Sequence, residues 1–272
     1  TPKNLISNPI FETNHEIRKI NTNFNPKGII TDTRVVRLIS RSFNLIKKYN
    51  LNFETELSQI YRRNAVHLNC KRHMSIFDQY NIIPKFCFGC YKVQIEPNNI
   101  IDLIKLMMIF DQIKLKDNNT RKCMVELRPE IPGFYKGLIY CSNLKQANEI
   151  ASVIDIIVKE NISSNLTSKV KRGCSEYPIT FPDYKEINNN GPQLMNYNKD
   201  WMAIEEIYDK ENHTLKDKKI NQSISGLNLQ DVLIMRNWID YAKGIGDTSI
   251  NLLESYDSMN YFIYDLARTR NH

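Results

Sequence analysis

The sequence predicts an α+β fold, with a ferredoxin-like central core at residues 85–180 and helical extensions at both ends. Two observations carry that expectation. Between residues 89 and 177 the segments follow the order strand, helix, strand, strand, helix, strand, which is the split βαβ arrangement. On either side, apolar residues recur at spacings of three and four, the period of a helix with one buried face. The chain accordingly divides into a basic helical region at 1–84, the core at 85–180, and a loop-rich and helical region at 181–272.

The first expected helix begins at Thr31 or Asp32, both good N-caps, and runs to about Lys48. Val35, Leu38, Ile39, Leu45, Ile46 and Tyr49 form its apolar stripe. Arg34, Arg37, Arg41 and Lys48 fall on another face. A second helix is expected from about Glu54 to near His73, with Leu57, Ile60, Tyr61 and Leu68 inward. In the core, the segments 89–96, 123–128, 134–142 and 168–177 read as strands, and 98–113 and 144–162 as helices. Pro and Gly at 129–133 mark the turn between the second and third strands. Beyond residue 177 three helices are expected, near 199–210, 228–243 and 248–268. The middle one is capped by Asn228 with Asp231 three residues on, and it is expected to stop at Gly244.

Composition narrows the function classes. Hydrophobic residues make up 42% of the 272, aromatic residues 10% and charged residues 25%, which excludes disorder as the dominant state. The longest apolar stretch, at 100–110, is broken by Asp102 and Lys105, so no bilayer-spanning segment is expected. The first residues, opening on Thr1, lack the pattern of a signal peptide. Six cysteines are too sparse for a disulfide scaffold, so free thiols and a cytoplasmic location are expected. The net charge of +7 is unevenly spread: thirteen basic against five acidic residues in 1–73, ten against eight in 74–150, and fourteen against seventeen in 151–272. A polyanion would therefore dock on the N-terminal quarter, through Arg34, Arg37, Arg41, Lys48, Arg62 and Arg63. A solvated, lysine-rich helix face would look the same in sequence.

Two constellations could carry chemistry. Cys70, His73, Cys87 and Cys90 fall in the pattern C-x2-H-x13-C-x2-C, two pairs of soft or borderline ligands of the kind a structural zinc requires. His67 could replace His73, and the alternative is that the three cysteines are inert core thiols. The second constellation follows from the period of two along strands. Val93, Ile95, Val125, Leu127 and Ile139 share one face. The other then carries Cys90, Lys92, Gln94, Glu126, Arg128, Lys136 and Tyr140, with Cys174 and Arg172 or Glu176 from the last strand. In the order 4-1-3-2 Cys90 and Cys174 approach one another.

Three functions compete for that polar face. The first is nucleic-acid binding, favouring RNA or single strands, with bases on Tyr91 or Tyr140 and phosphates on Lys92, Arg128 and Lys136. The second is a cysteine-dependent enzyme, with Cys90 or Cys174 as thiolate and Lys92, Glu126, Arg128 and Lys136 around an anionic small molecule. The third is an interaction or assembly protein, with the terminal helices folded over the face, a partner chain or oligomer, and the charges paired in a structural network.

Overall fold

The helices form where the sequence caps them. In the computed structural model, which describes residues 8–63, 68–212, 225–253 and 259–271, the first helix, α1, spans Pro9–Arg18 behind an Asn8 cap. It is an element the periodicity did not reveal. Helix α2 spans Asp32–Lys48, and the Thr31 hydroxyl accepts the Arg34 N–H. Helix α5, Ile100–Gln112, starts where Asn99 accepts the Asp102 N–H at 2.8 Å, and α6, Leu144–Asn161, where Asn143 accepts that of Gln146 at 2.8 Å. These side chains satisfy N–H groups that have no partner within a helix.

The expected helix from Glu54 to His73 is replaced by a strand and a later helix. Strand β1 spans Gln59–Arg62, and α3 begins only at Cys70, running to Tyr80. Leu57, Ile60 and Tyr61 have helical spacing, but the burial alternates, with Ile60 and Arg62 inward and Tyr61 outward. The approach to β1 is held by the helix α8, Leu229–Ile245. Its Asn237 side chain donates to the carbonyls of Thr55 (2.6 Å) and Leu57 (2.9 Å), and the Trp238 indole to that of Ser58 (2.8 Å). Backbone groups that a helix would have satisfied internally are thus satisfied by side chains remote in sequence.

The remaining strands are β2, Tyr91–Ile95; β3, Arg121–Val125; β4, Tyr135–Cys141; and β5, Ser168–Arg172. All neighbours pair antiparallel in the order β1-β3-β4-β2-β5, so the sheet has five strands where four were expected, with β1 added at one edge. Helix α5 lies over β3 and β4, and α6 over β2 and β5. Gly137 permits the closeness of α5: a Cβ there would come within 2.3 Å of Leu106. Helices α1, α2 and α8 join the same side, with α9, Tyr261–Arg268, crossing α8. Their apolar residues and those of the sheet's inner face form one continuous core, from Ile17 to Ala267.

Two further corrections concern helix ends. Helix α8 carries the expected Asn228–Asp231 capping box, but it ends at Gly246, whose φ of +76° suits glycine. Gly244 lies inside the last turn, where a Cβ would come within 2.6 Å of Ala267 in α9. The helix expected at 248–268 is a 3-10 turn at Thr248–Leu252 followed by α9, with 254–258 outside the described residues.

A smaller layer lies at the end of the sheet formed by β2 and β5. It contains α3, the short helix α4 (Lys85–Gly89), two 3-10 turns at Tyr177–Ile179 and Pro182–Tyr184, and α7, Trp201–Glu211. Its core is Ile83, Cys87, Tyr177 and Tyr184. Arg72 of α3 ties this layer to α7 through Asp209 (2.6 Å) and Glu205 (3.1 Å). Among the described residues no helix is long and apolar enough to cross a membrane.

Candidate functional site

The helices cover one face of the sheet, and strand alternation sends a polar set to the other. Lys92 and Gln94 of β2 lie on that side, with Lys136 and Tyr140 of β4 and Glu126 just past β3. They line a cavity of about 900 Å³. Gln59 and Tyr61 wall it on the β1 side, Cys70 and Met74 contribute from α3, and Cys90, Cys174 and Glu176 stand at the β5 side. The expected gathering of Cys90, Lys92, Glu126, Arg128, Lys136, Tyr140 and Cys174 around one space is what the structure contains.

Part of the charge is internally paired. The Glu126 carboxylate, 2% exposed, accepts from Arg128 Nε (2.9 Å) and Lys136 Nζ (2.9 Å). Arg128 also donates to Glu176 at 2.6 Å. Burial works to raise the Glu126 pKa, but the hydrogen bonds and charges of Arg128 and Lys136 overcome it and hold it at about 2. The Lys136 ammonium is shifted down by burial, with Glu126 opposing.

Two lysines are not paired in this way. Lys92 is 8% exposed, and its ammonium has no hydrogen bond or ion pair among the described residues. Burial pushes its pKa down, opposed by the fields of Cys174 and Glu176. Lys122, 9% exposed, donates to Gln59 Oε1 (2.8 Å) and to the Tyr61 hydroxyl (3.5 Å). It also lies over the Tyr61 and Tyr140 rings, at 5.3 and 5.9 Å from their centroids. Burial and then the neighbouring Lys92 charge bring it down to about 8. An ammonium withdrawn from water without a carboxylate is costly, and it marks a place where an anion would be stabilised.

Sequence reasoning missed Lys122, Gln59 and Tyr61. Lys122 is four residues before Glu126 and so shares its face, but the strand was expected to start at residue 123. Gln59 and Tyr61 were assigned to a helix.

The thiols differ in environment. Cys90 lies beneath Gly173, where a Cβ would come within 2.4 Å of its Sγ, and burial pushes its pKa up. Cys87 is buried in α4 with its Sγ 3.3 Å from the Tyr177 hydroxyl. The neighbouring Cys174 thiol, then burial, raises its pKa. The Cys87 thiol in turn lowers the Cys174 pKa against burial and the Glu176 charge, and the Lys92 charge assists.

The residues of the zinc pattern stand in different surroundings. His73 is buried and stacked on Phe86 with ring centroids 5.0 Å apart, Cys87 faces Tyr177, and Cys70 is exposed at the cavity wall. Cys70 and His73 open α3 instead of ending a helix, and Cys87 sits on α4 instead of in a turn beside Cys90. Among the described residues no group of three or more His, Cys, Asp or Glu side chains could hold a metal ion. His67 lies outside the described residues.

The basic residues assigned to a polyanion separate into two environments. Arg34, Arg37 and Arg41 line a groove of about 480 Å³ beside Asn21, Phe24 and Gly28, and Lys48 lies further along α2 over the Tyr49 ring. Arg34 donates to the Asn23 carbonyl. Arg62 is elsewhere: 1% exposed, it pairs with Asp111 (2.8 Å) and Asp231 (2.9 Å). Arg63 donates to the Asp111 carbonyl at 2.6 Å. Tyr91 is also withdrawn from any base, because it is buried with its hydroxyl accepting from Arg172 at 2.7 Å. Arg172 is fixed by the Tyr184 and Phe88 carbonyls, each at 3.0 Å.

Comparison of the chain with protein-family models, with curated proteins and with solved structures finds no match.

Proposed function

We propose that the cavity over the polar face of the sheet binds an anionic small molecule. The observation that carries this reading is Lys92, buried in the cavity wall with no anionic partner in contact, beside Lys122, which also lacks a carboxylate. Lys136 and Arg128, by contrast, are already occupied by Glu126 and Glu176. A volume of about 900 Å³ suits a metabolite-sized ligand. In this reading Lys92 and Lys122 donate to the anion, Gln59 and Tyr61 hold Lys122 in place, and the Glu126 network fixes the floor. The ligand's charge would restore the interactions that burial removed from both lysines.

Isothermal titration calorimetry with pyrophosphate, citrate and a nucleoside triphosphate tests the reading. At least one of these should bind, and Lys92→Met should weaken it by about tenfold or more, the scale of a lost charge-assisted hydrogen bond. Absence of binding across the three anions, or equal affinity in Lys92→Met and Lys122→Met, would overturn it.

A second reading concerns the groove beside α2, where Arg34, Arg37 and Arg41 stand in a row. We infer a docking surface for single-stranded RNA there, with phosphates as the recognised groups. Affinity for an RNA oligonucleotide should fall steeply with salt and fall further in Arg37→Ala/Arg41→Ala. Salt-independent binding would count against it.

We also read β2, α5, β3, β4, α6 and β5 as a ferredoxin-like core with β1 added at its edge. The support is the order β5-β2-β4-β3 within the sheet and the placement of α5 and α6 on one face.

A further inference from the structure

The cavity contains a feature that anion binding does not use. Strand β5 ends at Arg172, and Gly173 extends its contact with β2 by donating to the Cys90 carbonyl at 2.9 Å. Cys174 follows at once, half-buried and lining the cavity. Behind it lies Cys87, 2% exposed and locked in place. Its carbonyl accepts from the Tyr184 hydroxyl at 2.8 Å, and its Sγ meets the Tyr177 hydroxyl at 3.3 Å. Cys174 packs against the apolar cluster to which Cys87 belongs. One thiol therefore lines the ligand space while the other is buried in the cluster packed behind it. The unpartnered Lys92 ammonium shares that space. An accessible thiol backed by a buried one is the arrangement that thiol–disulfide exchange requires.

We propose that Cys174 and Cys87 form a redox-active dithiol that exchanges with an anionic disulfide held by the cavity lysines. The Cys174 thiolate attacks one sulfur of the disulfide RSSR. The S–S bond breaks, a mixed disulfide forms on Cys174, and the departing RS⁻ takes a proton from solvent, matching the one Cys174 gave up on ionising. The Cys87 sulfur then attacks the Cys174 sulfur and releases the second RS⁻, which accepts the Cys87 proton. The protein loses two electrons in forming a Cys87–Cys174 disulfide, and RSSR is reduced to two thiols. The preference for an anionic partner rests on the cavity reading given above, whereas the dithiol does not.

The experiment oxidises the reduced full chain with either oxidised glutathione, which is anionic, or bis(2-hydroxyethyl) disulfide, which is neutral. Non-reducing peptide mapping by mass spectrometry follows the products over time. A Cys87–Cys174 link should form with both, about tenfold faster with the anionic disulfide at low salt. Cys174→Ser should abolish the link, and Cys87→Ser should stop the reaction at a mixed disulfide on Cys174. A Cys87–Cys90 link in its place, or an adduct confined to Cys70 with Cys174 still reduced, would overturn the dithiol. Equal rates with the two disulfides, unchanged in Lys92→Met, would leave the dithiol standing and overturn the anionic partner. Should Cys87→Ser fail to fold, the map of the unaltered chain decides.

Discussion

Lys122 offers a prediction in which binding and stability move in opposite directions. Burial and the Lys92 charge bring its pKa to about 8 from an ordinary 10.5. At 1.36 kcal/mol for each pKa step, the charged form is disfavoured in the fold by about 3 kcal/mol. The lowered pKa also fixes the pH window. Below about pH 8 both folded and unfolded chains carry the proton, and the penalty is present in full. Between about pH 8 and 10.5 the folded chain has released a proton that the unfolded chain still holds, so stability rises with pH. Lys122→Met removes the charge but loses the bond to Gln59 and the ring contacts, about 1 kcal/mol, so the net gain at pH 7 should be about 2 kcal/mol. Urea denaturation of both proteins at pH 7, 8, 9 and 10 measures this. The variant should start more stable, and the difference should shrink as the pH rises. In calorimetry at pH 8 an anion should bind the unaltered protein with proton uptake, and the variant without it. A variant less stable at pH 7, or a difference that does not change with pH, would refute the reasoning.

Other consequences follow from neighbouring groups. Arg62→Ala leaves Asp111 and Asp231 buried without their counterion, and it should cost about 3–5 kcal/mol in chemical denaturation; a loss under about 1 kcal/mol would show that the triad contributes little. Glu126 is held at about 2, below its ordinary 4.5, so its contribution is present above pH 4.5 and is lost as the pH falls toward 2. Glu126→Gln should therefore be the less stable protein at pH 7, with the gap closing toward pH 2, and a gap constant in pH would argue against the network. Protein purified without chelators should carry well under one zinc per chain, because among the described residues no group of three or more His, Cys, Asp or Glu side chains is placed to hold a metal ion. Stoichiometric zinc whose removal lowers the melting temperature would show that Cys70, Cys87 and Cys90 are metal-bound.

What the sequence made legible was local. Thr31, Asn99 and Asn143 announce their helices because capping is settled within three residues. The polar face was legible because alternation along a strand is a two-residue rule, and Lys92, Glu126 and Lys136 obey it. What escaped depends on contacts distant in the chain. Strand β1 carries an inward arginine, and nothing within it reveals that Asp111 and Asp231 will neutralise the charge. The cysteine spacing indicated that four ligands were available, but where each sulfur points is set by the ends of α3 and α4 and by the packing of Tyr177 and Gly173. That Cys174, outside the zinc pattern, should pack against the cluster that holds Cys87 depends on the 3-10 turns that follow β5, which supply Tyr177 and Tyr184.

The grip of α8 on the chain before β1 also sets a timetable. The carbonyls of Thr55, Leu57 and Ser58 await donors from Asn237 and Trp238, about 180 positions later. Such distant pairing makes for slow, late assembly. On the ribosome the central strands and their two helices are complete long before α8 emerges, and until it does the side of the cavity built from Gln59 and Tyr61 has no anchor. A nascent chain therefore holds Lys92 and Cys174 in an unfinished pocket until α8 has emerged.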